Sequence, residues 1–316
     1  MLDINNISFS YADKPTLQRL SFSIGKGKTL AIIGESGCGK STLIKLIYGI
    51  YDLDQGSISY NNQIIRGPKF KLIPGEDFVK YLAQDFDLMP YITVAENVGQ
   101  FLSNTNPRKK QARITELLEM VEMASFANVK AQFLSGGQMQ RVAIARVLAL
   151  EPELILLDEP FSHIDHFRRN SLSRKLFTYL SAQSVTCVFA THDSNDVLSF
   201  ADEVLVMKDG KIVQKGQPDV VFANPKNKYV GSLFGDVNEI PSHLLVNPSD
   251  EKIRLVYPFQ LQITSKSPLK VTVKQSYSRG NHYLIEAVYE HGLLYFNHQS
   301  ELPKNALVYL RYTPNI

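Results

Sequence analysis

The sequence predicts an α/β fold with a largely parallel sheet over residues 1–239, followed by a small, barrel-like all-β domain over residues 240–316. Three observations predict it. A short apolar run, Thr29-Leu30-Ala31-Ile32-Ile33, enters a glycine-rich loop and then an amphipathic stretch, the strand–loop–helix order of a phosphate-binding unit. Apolar runs then alternate with helical periodicity to about residue 239, the pattern of parallel strands joined by helices. Beyond that point helical periodicity stops and short alternating segments take over.

The first strands come from alternation at Leu2 and Ile4, at Ile7, Phe9 and Tyr11, and at Leu20, Phe22 and Ile24. Next is Gly34-Glu35-Ser36-Gly37-Cys38-Gly39-Lys40-Ser41, which meets every fixed position of the P-loop pattern, and Thr42 continues it into a helix. Its glycines let backbone N–H groups turn inward, and the helix N-terminus adds partial positive charge. Lys40 is expected on the β- and γ-phosphates of a nucleotide and the Ser41 hydroxyl on Mg²⁺. Short strands follow around Ile58 and Ile64, then a loop over residues 66–78 and a strand from Val79 ending at Gln84. Thr93 opens a helix, and Asn106-Pro107 opens another whose apolar face is Ile114, Leu117, Leu118 and Val121. Leu134-Ser135-Gly136-Gly137-Gln138 leads a helix to Leu150. Buried strands end at Asp158-Glu159 and at Thr191-His192, and Asp209-Gly210 reads as a hairpin turn.

The composition narrows the function. With 44% hydrophobic residues the chain can build a proper core, and its net charge of +3 is dispersed, so no nucleic-acid partner is expected. Two cysteines, one inside the P-loop, make no disulfide framework and fit a reducing compartment. The opening residues lack the basic and apolar regions of a signal peptide, and no run approaches the ~18 apolar residues of a membrane span. Any membrane role is therefore expected to run through a partner.

In a parallel sheet, ligands bind at the carboxyl ends of the strands. Gly34, Asp158, Glu159 and His192 all fall at such ends. Asp158 is the expected acidic partner of Mg²⁺, and Glu159 the group that polarises an attacking water. His192 is placed to hydrogen-bond the γ-phosphate.

A P-loop, then Leu134 to Gln138, then Leu154-Ile155-Leu156-Leu157-Asp158-Glu159-Pro160, then His192, resembles the ATP-binding cassette (ABC) ATPases over roughly three quarters of the chain. The resemblance implies a P-loop NTPase with a RecA-like core, an antiparallel β subdomain and a helical subdomain, using ATP and Mg²⁺. It also implies roles for single positions. Tyr11 is expected to stack on the adenine, Gln84 to contact Mg²⁺ or the attacking water and sense a membrane partner, and Asp165 to be the D-loop aspartate. Ser135, Gly136, Gly137 and Gln138 would contact the ATP of the opposite subunit. Here the D-loop departs from the family pattern, reading Ser162-His163-Ile164-Asp165.

One signature per chain implies pairing with itself or with a sister ABC ATPase. The partners implied are membrane permease subunits and, for an importer, a substrate-binding protein, with the chain peripheral on the cytoplasmic face of the cell membrane. The C-terminal strands resemble the TOBE-type extension of importer ATPases for ferric iron, polyamines, sugars or oxyanions, although Tyr257-Pro258-Phe259 stands where Arg-Pro-Glu is expected. The alternative reading is a soluble single-cassette ATPase acting on nucleic acid or ribosomes, or as a regulator.

Overall fold

The computed structural model describes residues 1–12, 14–245 and 252–314, with the His166 side chain also outside the description. Two compact units are present, residues 1–219 and 220–316. The first opens with β1 (Leu2–Tyr11), β2 (Lys14–Ile24), β3 (Thr29–Ile33), α1 (Lys40–Tyr48), β4 (Gln55–Tyr60), β5 (Gln63–Ile64) and β6 (Val79–Leu82). It continues through α2 (Val94–Gly99), α3 (Pro107–Met120), α4 (Gly136–Leu148), β7 (Leu154–Asp158), α5 (His166–Ala182), β8 (Thr186–Thr191), α6 (Ser194–Phe200), β9 (Glu203–Lys208) and β10 (Lys211–Gly216).

Strands β3 and β6 to β10 form one six-stranded sheet in the order β10-β9-β3-β8-β7-β6, parallel except for β10. Its inner strands read as unbroken apolar runs because helices and a second sheet cover both faces; every residue of β7 and β8 is buried. The second sheet is antiparallel, in the order β2-β1-β4-β5. Leu43, Ile44, Leu46 and Ile47 of α1 share one core cluster with residues of both sheets.

The alternation in residues 2–11 belongs to one strand. Its phase changes because Asn6 takes a left-handed φ of 49° and the pairing register shifts between Ile4 and Ile7, so Leu2 and Ile4 and then Ile7 and Phe9 stay on the buried face. The predicted helix starts form as read. Thr93 and Glu96 make a reciprocal capping box on α2, and the Asn106 side chain accepts from Lys109 N–H with Pro107 at the first position of α3. Asp209 and Gly210, at φ 48° and 72°, turn β9 into β10.

The second unit holds α7 (Pro218–Ala223, whose first residues precede the division), α8 (Lys228–Ser232) and strands β11 (Asn238–Pro241), β12 (Ile253–Val256), β13 (Leu261–Thr264), β14 (Leu269–Ser278), β15 (Tyr283–Tyr289), β16 (Gly292–His298) and β17 (Leu307–Tyr312). Five of these make an antiparallel sheet, β13-β17-β14-β15-β16, whose edge strands β13 and β16 approach within 8 Å, giving the barrel-like curl. Asn238 pins β11 to β16: its Oδ1 accepts from Tyr295 N–H at 2.7 Å and its Nδ2 donates to the Tyr295 carbonyl at 2.7 Å. The loss of helical periodicity near 239 and the division after Asp219 mark different things. The short helices between them pack with the β unit, where Phe222 stacks on Tyr257 at 4.6 Å between centroids.

Leu156 is fully buried in β7, whereas Leu72, in the 66–78 loop, is 93% exposed. Leu156→Ala is expected to lower stability to urea by about 2–5 kcal/mol, and Leu72→Ala to leave it within about 0.5 kcal/mol.

Candidate functional site

Neighbouring strands of the parallel sheet deliver the candidate residues side by side. From β9 to β6, the carboxyl ends carry Asp209 and Gly210, the P-loop, His192, Asp158 with Glu159, and Gln84. An open cleft of about 690 Å³ lies above them, lined by Tyr11, Ser36, Gly37, Gly39, Lys40, Ser41, Thr42, Gln84 and Glu159. Thr42 meets the Tyr11 hydroxyl at 3.4 Å, and Tyr11 stands edge-on to Phe9 and Tyr51 at the rim.

The loop between β3 and α1 can turn only because glycine occupies its tight points. A Cβ on Gly34 would drive into the Met207 carbonyl and the Cys38 sulfur, and Gly39 holds φ 104°. Lys40, 7% exposed, curls back so that Nζ donates to the carbonyls of Gly34 at 2.7 Å and Glu35 at 2.9 Å. Burial pushes the Cys38 thiol above its ordinary range, opposed by the Lys40 charge, so it is a neutral packing group.

At the cleft floor, Ser41 Oγ donates to Asp158 Oδ1 at 2.9 Å. Asp158 is buried, and its Oδ2 has no hydrogen-bond partner among the described residues. Burial holds this carboxyl above the ordinary aspartate value, the Ser41 hydrogen bond opposes that shift and the Glu159 charge adds to it. A buried carboxylate oxygen without a donor, beside a hydroxyl, is the oxygen-rich, partly desolvated setting that a hard divalent cation fits.

Glu159 takes a left-handed φ of 50°, with its N–H donating to the Ala190 carbonyl at 3.1 Å. His192 Nδ1 lies 3.5 Å from Glu159 Oε1. The His192 loop is braced by Arg169, which pairs with Asp193 at 2.9 Å and also with Asp196, while Asp193 N–H donates to Thr191 Oγ1. This arrangement sets the Glu159 carboxylate on a cleft also lined by Lys40 and Ser41, while Asp158 and His192 stand behind that lining, in contact with Ser41 and Glu159.

Residues 135–138 do not line this cleft. They start α4 in a capping box, with Ser135 N–H donating to Gln138 Oε1 at 2.8 Å and Gln138 N–H to Ser135 Oγ. Asp165 caps α5, accepting from Arg168 N–H at 3.0 Å. His163, the departure in the D-loop, stands edge-on to Phe86 at 5.2 Å, two residues beyond Gln84.

Sequence reasoning missed two contributors. The turn at Asp209 and Gly210 lines the cleft, and Gly210 N–H donates to the Cys38 carbonyl at 3.1 Å. Gln140 is buried and donates to the Glu159 carbonyl. The Asp-Gly pair carried a turn signal without any sign of its neighbours, and a glutamine within a helix carried none.

A family model described as ABC transporter matches residues 17–162. The chain is 38% identical over 244 residues to the Fe(3+) ions import ATP-binding protein FbpC of Pseudomonas fluorescens, covering 77% of this chain and 69% of that protein. The chain belongs to the ABC transporter family. As an ABC protein it is also similar to the spermidine/putrescine import ATP-binding protein PotA of Salmonella typhimurium, 35% identical over 254 residues, 79% of this chain and 66% of that one. A post-hydrolysis dimer of the ATP-binding cassette MJ0796, bound to ADP and Pi, superposes with TM-score 0.61 at 28% identity, over 69% of this chain and 99% of that one. The ABC cassette cbiO1 from Clostridium perfringens superposes with TM-score 0.62 at 29% identity, over 71% and 90%. This chain is accordingly an ATP-binding and ATP-hydrolysing subunit of an ABC transporter.

The raised Asp158 carboxyl yields a stability test. A carboxyl whose folded value lies above its unfolded one costs stability once pH exceeds the unfolded value, about 4. Asp158→Asn removes that cost. The variant is expected to melt higher than the parent at neutral pH without nucleotide, with the gain shrinking toward pH 4 and Mg²⁺-dependent hydrolysis lost. Calorimetry across pH checks it.

Proposed function

We propose that this ATPase takes Mg–ATP into the cleft above the P-loop, pairs with a second copy or a sister ABC ATPase, and powers import through a separate permease. The observation that carries the reading is the Ser41–Asp158 pair at the cleft floor, with Asp158 Oδ2 left without a donor. Ser41 and Asp158, with Gln84 on the wall, would hold Mg²⁺, which neutralises phosphate charge when bound. Tyr11 offers a ring at the rim for the adenine, and the P-loop N–H groups and Lys40 take the phosphates.

Glu159 then polarises the attacking water, and His192 reports on the γ-phosphate from its place beside Glu159. Residues 135–138 stand outside this cleft at a helix start, where the first N–H groups lack intrahelical partners. They therefore serve the nucleotide of the opposite subunit, with Asp165 and the D-loop at the junction.

Among the described residues no helix is long and apolar enough to cross a membrane, which supports a permease on separate chains. A groove of about 410 Å³ beside Gln84, lined by Tyr48, Tyr81, Phe86, Phe101, Arg146 and Leu150 among others, suits a short permease segment on the cytoplasmic side. The ferric-iron and spermidine/putrescine import proteins among the relatives support import as the direction and a solute of that kind as the cargo, and a substrate-binding protein would complete such an importer.

Two measurements test this. Glu159→Gln is expected to bind Mg–ATP, hydrolyse it about a hundredfold or more slowly, and elute as an ATP-dependent dimer in size-exclusion chromatography. A monomer at saturating Mg–ATP would remove self-pairing. Tagged protein drawn from native membranes in mild detergent is expected to bring down a multi-span membrane protein in near-stoichiometric amount. Recovery of soluble partners alone would overturn the transport reading.

A further inference from the structure

Gln140 lies one helical turn into α4 and is 1% exposed. Both ends of its carboxamide are used on the turn that follows β7. Nε2 donates to the Glu159 carbonyl at 3.0 Å and reaches Ser162 Oγ at 3.4 Å, while Oε1 accepts from His163 N–H at 3.0 Å. The same Glu159 carbonyl accepts from Ser162 N–H at 3.2 Å and Ser162 Oγ at 3.1 Å. The start of α4 is pressed onto this turn: a Cβ on Gly137 would come within 2.7 Å of the His163 carbonyl.

Glu159 occupies a left-handed conformation, uncommon for a residue with a Cβ, and the hydrogen bonds on either side hold it there. The Glu159 N–H is tied to Ala190 and its carbonyl to Gln140 and Ser162, so both peptides that set the direction of the side chain are fixed. We infer that Gln140 is a positioning residue: by holding the Glu159 carbonyl, it aims the Glu159 carboxylate at the attacking water.

Gln140 sits two residues beyond Gln138 on the helix that residues 135–138 begin. A shift of the signature on closing against one nucleotide therefore reaches the base that serves the other, within one chain. The mechanical link is the carboxamide, with a donor to one peptide and an acceptor from the next. A buried amide that merely stapled α4 to the turn would show the same bonds, so the test must separate aim from stability.

The inference rests on the assignment of Glu159 to the attacking water. Gln140→Met keeps the volume and removes both polar ends. It is expected to lower kcat for Mg–ATP hydrolysis by about tenfold to a hundredfold with KM within about twofold. In a Glu159→Gln background it is expected to have no further effect on single-turnover hydrolysis, because there is no carboxylate left to aim. Unchanged kcat, or an equal loss in both backgrounds, would overturn the inference. Wild-type turnover by Glu159→Gln alone would remove the assignment beneath it instead.

Should the methionine variant fail to fold, Gln140→Glu supplies the reading. A protonated glutamic acid can still donate to the Glu159 carbonyl and an ionised one cannot. Its kcat relative to the parent is expected to fall as pH rises, and a ratio that stays flat with pH would overturn the inference.

Discussion

The 2.9 Å hydrogen bond from Ser41 to Asp158 joins the first residues of α1 to the last residue of a buried strand, and the sheet and α1 must hold those two atoms together. An aspartate this buried is costly to ionise, so the sheet must be rigid enough to keep its single hydroxyl donor in place. Parallel pairing of β3, β8 and β7 fixes the spacing along the sheet. Packing of α1 into a core shared by both sheets fixes the hydroxyl above it. The P-loop, His192, Glu159 and Gln84 converge because they leave strands that are hydrogen-bonded neighbours, in an order the chain reaches only by crossing over.

Much of this was legible in the sequence, because the signals concerned are local. An unbroken apolar run such as Leu154-Ile155-Leu156-Leu157 needs cover on both faces, and a Pro after Asn106 has few places to go but the start of a helix. The change to short alternating segments past residue 239 likewise announced the strands of the second unit. The unread parts depend on contacts between distant residues. The bulge at Asn6 disguised one strand as two, since a phase change in burial looks like an end. Strands β11 and β12 offered no alternation of apolar and polar residues to read, because β11 buries the polar Asn238 and β12 exposes Ile253. Gln140 was silent because a buried polar residue within a helix declares itself only through partners 19 and 23 positions away.

The D-loop shows a different limit. Position 163 was visible as a departure from the family pattern, yet its consequence was not. His163 gives its backbone N–H to Gln140, its ring edge to Phe86 and its Nδ1 to the neighbouring Ser162 hydroxyl at 3.0 Å. The turn that follows β7 is thus tied, in this chain, to the segment just beyond Gln84.

Lys40 donates to two carbonyls of the loop it belongs to, which places its ammonium group inside the fold before any anion arrives. The loss of its water shell was therefore met during folding and is not repeated at each turnover. On the role proposed for Lys40, nucleotide entry is an exchange of acceptors around a charge already desolvated, with carbonyl oxygens giving way to phosphate oxygens.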